Sequence, residues 1–233
     1  MTPARRIAAE FLGTAILVAA ILGSGIMAQR LSGGNTALAL LANAVATGGA
    51  LVAIIAALGP ISGGHFNPAV SLSDASAGGI SWRDAVGYCA AQILGAIVGA
   101  VLANVMFGLP AVSLPHHHRD GGLQWLSEFV ATFGLITVIW GCGKFRTAVV
   151  PFAIAGYIVA AYWFTPSTSF ANPAVTIGRA LSDTFAGIRI VDVPPFIIAQ
   201  LLGAAGATIF FAWLSPRVKT QAADVVVPHE ARA

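Results

Sequence analysis

Apolar residues along this 233-residue chain come in long unbroken runs, not at the spacing of a one-sided helix or strand. Six runs are long enough to cross roughly 30 Å of hydrocarbon at about 1.5 Å of helix per residue. They lie near residues 8–28, 36–58, 82–107, 123–142, 147–165 and 194–214. Two further apolar stretches, near 68–77 and 173–182, have ten residues each. That length makes about 15 Å of helix, half a bilayer. Each opens on the same tripeptide, Asn67-Pro68-Ala69 and Asn172-Pro173-Ala174, placed 105 residues apart. Asn caps a helix by accepting a backbone N–H through its side-chain oxygen. Pro at the first helical position sacrifices no hydrogen bond and already has the required φ. Non-helical backbone at membrane depth survives only where protein or water surrounds it. The two stretches therefore read as half-helices that enter the membrane, turn back and line a cavity.

The pattern repeats. Ala9-Glu10-Phe11-Leu12-Gly13-Thr14 matches Ser127-Glu128-Phe129-Val130-Ala131-Thr132, and Ala91-Gln92-Ile93-Leu94-Gly95-Ala96 matches Ala199-Gln200-Leu201-Leu202-Gly203-Ala204. The order Glu-Phe, Asn-Pro-Ala, Gln-x-Leu-Gly is the same in both halves, about 7–109 and 122–214. Three crossings per half is odd, so the second half is inserted upside down relative to the first. The expected fold is an all-α membrane protein with six transmembrane helices and two re-entrant half-helices in an inverted repeat. It is expected to form one membrane domain over residues 1–233, ending in a mobile cytoplasmic tail from about 215. Gly95 with Gly99, and Gly203 with Gly206, mark faces where helices approach closely.

Composition agrees: 57% of residues are hydrophobic and only 9% charged, against about 25% charged in a soluble domain. The formal charge of +3 comes from scattered residues at segment ends, which excludes a nucleic-acid surface. With the N-terminus inside, the inner loops and tail hold Arg5, Arg6, Arg83, Lys144, Arg146, Arg217, Lys219 and Arg232; the outer loops hold Arg30, Arg119, Arg179 and Arg189. That excess puts both termini in the cytoplasm of a cell-membrane protein. The first apolar run lacks a small-residue cleavage signature and is kept as mature protein. Cys89 and Cys142 read as small buried hydrophobes, with no disulfide.

Few residues carry chemistry. Glu10 and Glu128 stand inside spans, where a charge is costly. A proton relay is one reading. The other is structural, a carboxylate accepting N–H groups from the loop before each half-helix, and the matched positions favour it. His65 either titrates at a passage wall or holds the re-entrant loop, its backbone carbonyl counting for more than its ring. His116-His117-His118 lies in an outer loop, and three consecutive His make a poor metal cage. No nucleophile–base pair or phosphate-cradling loop is present, so no catalytic residue, metal or cofactor is expected. Both half-helix N-termini aim at the bilayer centre, carrying partial positive charge and the donors of Asn67 and Asn172. Such a centre suits a lone pair on a neutral solute and repels cations.

At these residues the chain resembles the major intrinsic protein family, the aquaporins and aquaglyceroporins. The carriers are Ile61-Ser62-Gly63-Gly64-His65-Phe66-Asn67-Pro68-Ala69-Val70, the second Asn-Pro-Ala and the two Glu-Phe starts. The resemblance covers about residues 7–214 and implies a pore in each protomer of a homotetramer, passive flux and no cofactor. It also implies a selectivity constriction of four residues outside the paired Asn. Counting from the motifs, these are Thr47, Ala160 or Ala161, a residue near Ser169, and Val175. The family pattern has Arg where Val175 stands and, in its glycerol channels, commonly Asp where Thr176 stands. Small residues and a lost guanidinium imply a wider, less polar constriction, suited to polyol-sized neutral solutes with arsenite a favoured candidate. Arg179, four residues on and on the same helical face as Val175, either leans over the mouth as a partial substitute or bonds the loop. The competing readings are an ion- or proton-coupled carrier, which can share inverted repeats, and a scaffold that merely keeps the fold.

Overall fold

The computed structural model describes residues 1–145 and 147–215, with the side chains of 144–147 left aside. The expected mobile tail lies outside the described residues, apart from Ser215. Among the described residues eight α-helices follow in order: α1 Pro3–Leu31, α2 Thr36–Ser62, α3 Pro68–Ala77, α4 Trp82–Met106, α5 Gly122–Phe145, α6 Val150–Phe164, α7 Pro173–Arg179 and α8 Val193–Leu214. Five of them, α1, α2, α4, α5 and α8, are long and apolar enough to cross a membrane. The sixth span, α6, has 15 residues, about 22 Å of helix. Its start is set by Pro151 in the first turn and its end by Thr165-Pro166, since a residue before proline leaves the helical region. A short 3-10 turn, Thr147–Val149, precedes it.

The helices pair as an inverted repeat requires. α1 lies against α2 and α4, α5 against α6 and α8, and α2 meets α6 across the centre. Each half-helix touches the last span of its own half and that of the other: α3 meets α4 and α8, while α7 meets α8 and α4. The outer faces carry large apolar side chains such as Leu94, Leu202, Ile209 and Trp213. This inside-out distribution suits lipid as the solvent.

Close helix contact rests on a few glycines. A Cβ at Gly95 or Gly99 would overlap the Phe11 or Ala15 carbonyl of α1, and one at Gly203 would overlap the Phe129 carbonyl of α5. Gly206 does not complete the matching pair, because a Cβ there would meet only ordinary side-chain contacts. The counterpart of Gly99 is instead Ala207, fully buried. A methyl group is tolerated there, so the second face needs only one glycine. Cys89 and Cys142 are half-buried free thiols.

Candidate functional site: a lined passage between the two half-helices

The two carboxylates build the site from below. Glu10 is fully buried. Its Oε1 accepts from Ser62 Oγ at 2.6 Å and the His65 amide at 3.0 Å. Its Oε2 accepts from the Phe66 amide and from Gln92 Nε2, both at 2.7 Å. Glu128, equally buried, accepts from the Phe170 and Ala171 amides at 2.9 Å and from Gln200 Nε2 at 2.6 Å. Each Gln also donates to the hydroxyl of its half's half-helix, Gln92 to Ser71 and Gln200 to Thr176, both at 2.9 Å. Every oxygen of both carboxylates is thus engaged by a donor of the loop or the bundle. Such charge-assisted bonds fix backbone that has no helix to satisfy it.

They also hold strained residues. Phe66 has φ 47° and its match Ala171 has φ 47°; Gly64 has φ 66° and its match Ser169 has φ 48°. Non-glycine residues rarely adopt this region, and persist there when surrounding bonds over-determine them. The strained loops deliver the two Asn to the centre. Asn67 Oδ1 caps α3 through the Ala69 amide at 2.9 Å, and Asn172 Oδ1 caps α7 through the Ala174 and Val175 amides at 3.0 and 3.2 Å. Their amide nitrogens cross over. Asn67 Nδ2 donates to the Ala171 carbonyl at 2.7 Å, and Asn172 Nδ2 donates to the Phe66 carbonyl at 2.8 Å. The sequence left both NH₂ groups wholly unspent; the structure commits one hydrogen of each to locking the halves together. An amide carries two, so one remains on each Asn.

A passage open to solvent runs past these residues. Its apolar wall includes Leu51, Ile55, Leu135 and Ile154, and both Asn and the Phe66 and Ala171 backbone line its middle. His65 borders it, but its ring is held elsewhere: Nδ1 is 3.0 Å from Ser71 Oγ, Nε2 is 3.5 Å from Asp74, and the ring packs edge-on to Tyr88.

At the end beyond Asn172 the lining is Thr47, Tyr162, Ser169, Phe170, Val175 and Arg179. Four of these six were expected from the sequence, Arg179 as one of two alternatives. Span five is the correction. Ala160 is exposed on the outer surface, and Ala161, though buried, does not line the passage. The turn of α6 brings Tyr162 there instead, its hydroxyl 3.2 Å from Thr47 Oγ1. The connection from α6 to Asn172 is shorter than the count assumed, and Pro166 was its only sequence signal. The expected ring of small residues is therefore replaced by one holding two aromatic rings, three hydroxyls and a guanidinium.

Arg179 is not a loop charge. It is fully buried, with its guanidinium carbon 3.4 Å from the Phe170 ring centre, and its Nε donates to the Ala186 carbonyl. Arg119, counted above among outer loop charges, is also buried. It donates to the Gly187 carbonyl at 2.9 Å and the Ser167 carbonyl at 2.8 Å, and its guanidinium carbon is 4.9 Å from the same ring centre. Burial first, and then the charge of Arg179, push the Arg119 guanidinium down to about 9. Nothing in the sequence marked Arg119 apart from its place after three histidines. Those lie on the surface: His116 pairs with Asp183 at 3.0 Å, and His118 Nε2 is 3.2 Å from Arg189.

The sequence profile of the major intrinsic protein family matches this chain over residues 1–161 and 142–232. The chain is 52% identical to the aquaglyceroporin AqpS of Rhizobium meliloti, with 90% of each chain covered. It is 30% identical to the probable aquaporin AqpM of Archaeoglobus fulgidus, covering 92% of this chain and 98% of that one. Its fold matches the solved aquaglyceroporin of Plasmodium falciparum with a TM-score of 0.69 and 23% identity, over 94% of this chain and 100% of the other. With paired Asn-Pro-Ala half-helices, an inverted repeat and a passage between them, the chain belongs to the major intrinsic protein family of multi-pass membrane channels.

Proposed function

We propose that the protein is a passive channel for small neutral hydroxylated solutes, with glycerol-sized polyols and trihydroxy arsenite as its preferred cargo and water passing as well. The observation that carries this reading is the reciprocal Asn67–Phe66–Asn172–Ala171 lock inside a passage with apolar walls. It leaves one amide donor per Asn at the centre, and no ionisable side chain takes part in the lock. A proton-coupled carrier needs a titratable group at that point. The two intramembrane carboxylates are instead consumed in holding the loops. The name aquaglyceroporin carried by the Rhizobium relative favours the same cargo.

The outer ring supports polyols through its two-sidedness. Val175 and Phe170 offer an apolar side to a carbon skeleton, while Thr47, Tyr162 and Ser169 offer hydroxyls to the cargo's oxygens. Selectivity then arises at Thr47, Tyr162, Ser169, Val175 and Arg179. The channel works as a homotetramer in the cell membrane with both termini cytoplasmic. The burial of Arg119 and Arg179 removes two positive charges from the outer loops, which sharpens the asymmetry behind that orientation.

The test is stopped-flow light scattering on proteoliposomes with glycerol, arsenite and water, alongside Val175→Arg. Rapid glycerol and arsenite uptake that the Arg variant slows by about tenfold or more, a barrier rise of about 1.4 kcal/mol, is the expected result. Uptake of water alone would remove the polyol-sized reading.

A further inference from the structure

The loop before the second half-helix is built as the first one is, with one part exchanged. With Asn67 laid on Asn172, Ser62-Gly63-Gly64-His65-Phe66 matches Ser167-Thr168-Ser169-Phe170-Ala171. The backbone follows: Gly63 and Gly64 have φ 97° and 66°, and Thr168 and Ser169 have φ 60° and 48°. In both loops the leading serine hydroxyl accepts the amide two residues on, Gly64 to Ser62 and Ser169 to Ser167, each at 3.2 Å. Behind each loop stands an aromatic ring from the last span of that half. Tyr88 meets the His65 ring at 5.4 Å and 71°. Phe196, its match when Gln92 is laid on Gln200, meets the Phe170 ring at 5.3 Å and 72°. The exchanged part is a donor. Tyr88 donates its hydroxyl to the Ser62 carbonyl at 2.7 Å. Phe196 has no hydroxyl to give the matching Ser167 carbonyl, and Arg119 Nη1 donates there instead, at 2.8 Å.

We propose that Arg119 is a positioning residue of the outer constriction, standing in for the tyrosine hydroxyl that the second repeat lacks and so fixing where Ser169 and Phe170 face the solute. This rests on the channel reading above. The outer loop needs such a bond more than the inner one does. Gly63 and Gly64 reach the left-handed region with no Cβ penalty. Thr168 and Ser169 carry side chains, and such residues persist there only when surrounding bonds over-determine them. Arg119 can supply the bond because it is itself held. Its Nε donates to the Gly187 carbonyl and its amide to Asp192, both at 2.9 Å, and its side chain is buried. A charged donor also makes a stronger bond than a neutral hydroxyl. Its guanidinium carbon, 4.9 Å from the Phe170 ring centre, shares that ring with Phe196. Ser169 Oγ is buried on the passage lining without a partner in the protein, so a shift of this backbone moves a hydroxyl that the solute meets. Arg119 does not line the passage; it acts through the loop.

The test uses full-length protein in proteoliposomes and reads the glycerol-to-erythritol uptake ratio, which does not depend on how much of each preparation has folded. Arg119→Met keeps an unbranched side chain but donates nothing, and is expected to shift the ratio by about threefold or more. Adding Phe196→Tyr returns a hydroxyl at the place where Tyr88 carries its own, so the double variant should recover most of the wild-type ratio. Hydrogen exchange on the same variants reads the loop directly. Protection of the Ser169 amide should fall in Arg119→Met and return in the double variant. A wild-type ratio in Arg119→Met, or a shifted ratio that Phe196→Tyr leaves unrepaired, would overturn the proposal. A wild-type protein that passes no glycerol removes the channel reading instead. Exchange then decides whether the loop depends on Arg119, and unchanged protection of Ser169 would sink that dependence.

Discussion

Glu10 and Glu128 show how much a single buried side chain is asked to do. Each carboxylate is the shared acceptor of two loop amides and a Gln, joined at Glu10 by the Ser62 hydroxyl, and the loop amides have no other acceptor of comparable strength. Glu128→Gln keeps the shape but turns an acceptor into a donor facing donors. It is expected to cost at least about 3 kcal/mol, since bonds to charged groups contribute about 1.5–3 kcal/mol each. The check is thermal unfolding of the protein in detergent. A proton-relay role predicts a different outcome, near-normal melting with altered pH dependence of flux. Tyr162 belongs to the same scale. Tyr162→Phe removes one hydroxyl, costing about 1 kcal/mol or less of stability, and frees Thr47 to meet the solute. Glycerol flux relative to water should change in this variant while Ala160→Ser, on the outer surface, leaves the ratio alone. Tyr162 was not legible in the sequence. Its position depends on the length of the connection to Asn172, which a residue count fixes only if the loop has its usual length.

At the scale of elements, both half-helix starts were legible because Asn and Pro signal a helix start through local chemistry alone. Their ends were less so. The first runs to Ala77 as expected, stopped by Gly78 at φ 88°, but the second ends at Arg179, three residues earlier than expected. No glycine follows it; the chain turns because Arg179 is anchored to the returning loop at Ala186. Close helix contact gives a sharper prediction. Gly99→Ala forces a methyl group into the α1 backbone, so it should destabilise the bundle by about 1–3 kcal/mol. Gly206→Ala, with only side chains nearby, should be close to neutral in the same melting experiment.

The outer loops carry a pH response. Partial burial first, then the charges of Arg119, Arg179 and His118, hold the His117 imidazole below its ordinary value of 6.5, with Asp183 acting the other way. Charging it is easier once the loop is undocked, so the loosened loop binds more protons. Docking is then at full strength above about pH 6.5 and is lost as the pH falls from there toward the folded value. The hydrogen bond from His116 lowers Asp183, so that pair weakens only at far lower pH and does not offset the change. Protection of the Arg119 amide, bonded to Asp192, and the Arg189 amide, bonded to the His117 carbonyl, should fall between pH 7 and pH 5 in hydrogen exchange. Equal protection factors at both pH values would contradict the sign.

For the whole molecule, the repeat decided what the sequence made visible. Features present twice, namely the Glu-Phe starts, the tripeptides and the Gln-x-Leu-Gly faces, pointed to the fold because each copy supported the other. Features present once, Tyr162 and Arg119, were invisible because they arise from how one loop folds over another. The same distinction runs through function. The symmetric centre makes a path for a neutral, hydrogen-bonding solute, and the unsymmetric outer end decides which solute takes it.

The central claim is that this path is open and passive. The most direct measurement is the temperature dependence of glycerol flux into proteoliposomes holding no ion or pH gradient. A solute moving through a preformed passage exchanges hydrogen bonds one at a time, so flux should be rapid and only weakly dependent on temperature. Flux that requires a gradient, or that climbs steeply on warming as a rocking carrier would, would contradict the account.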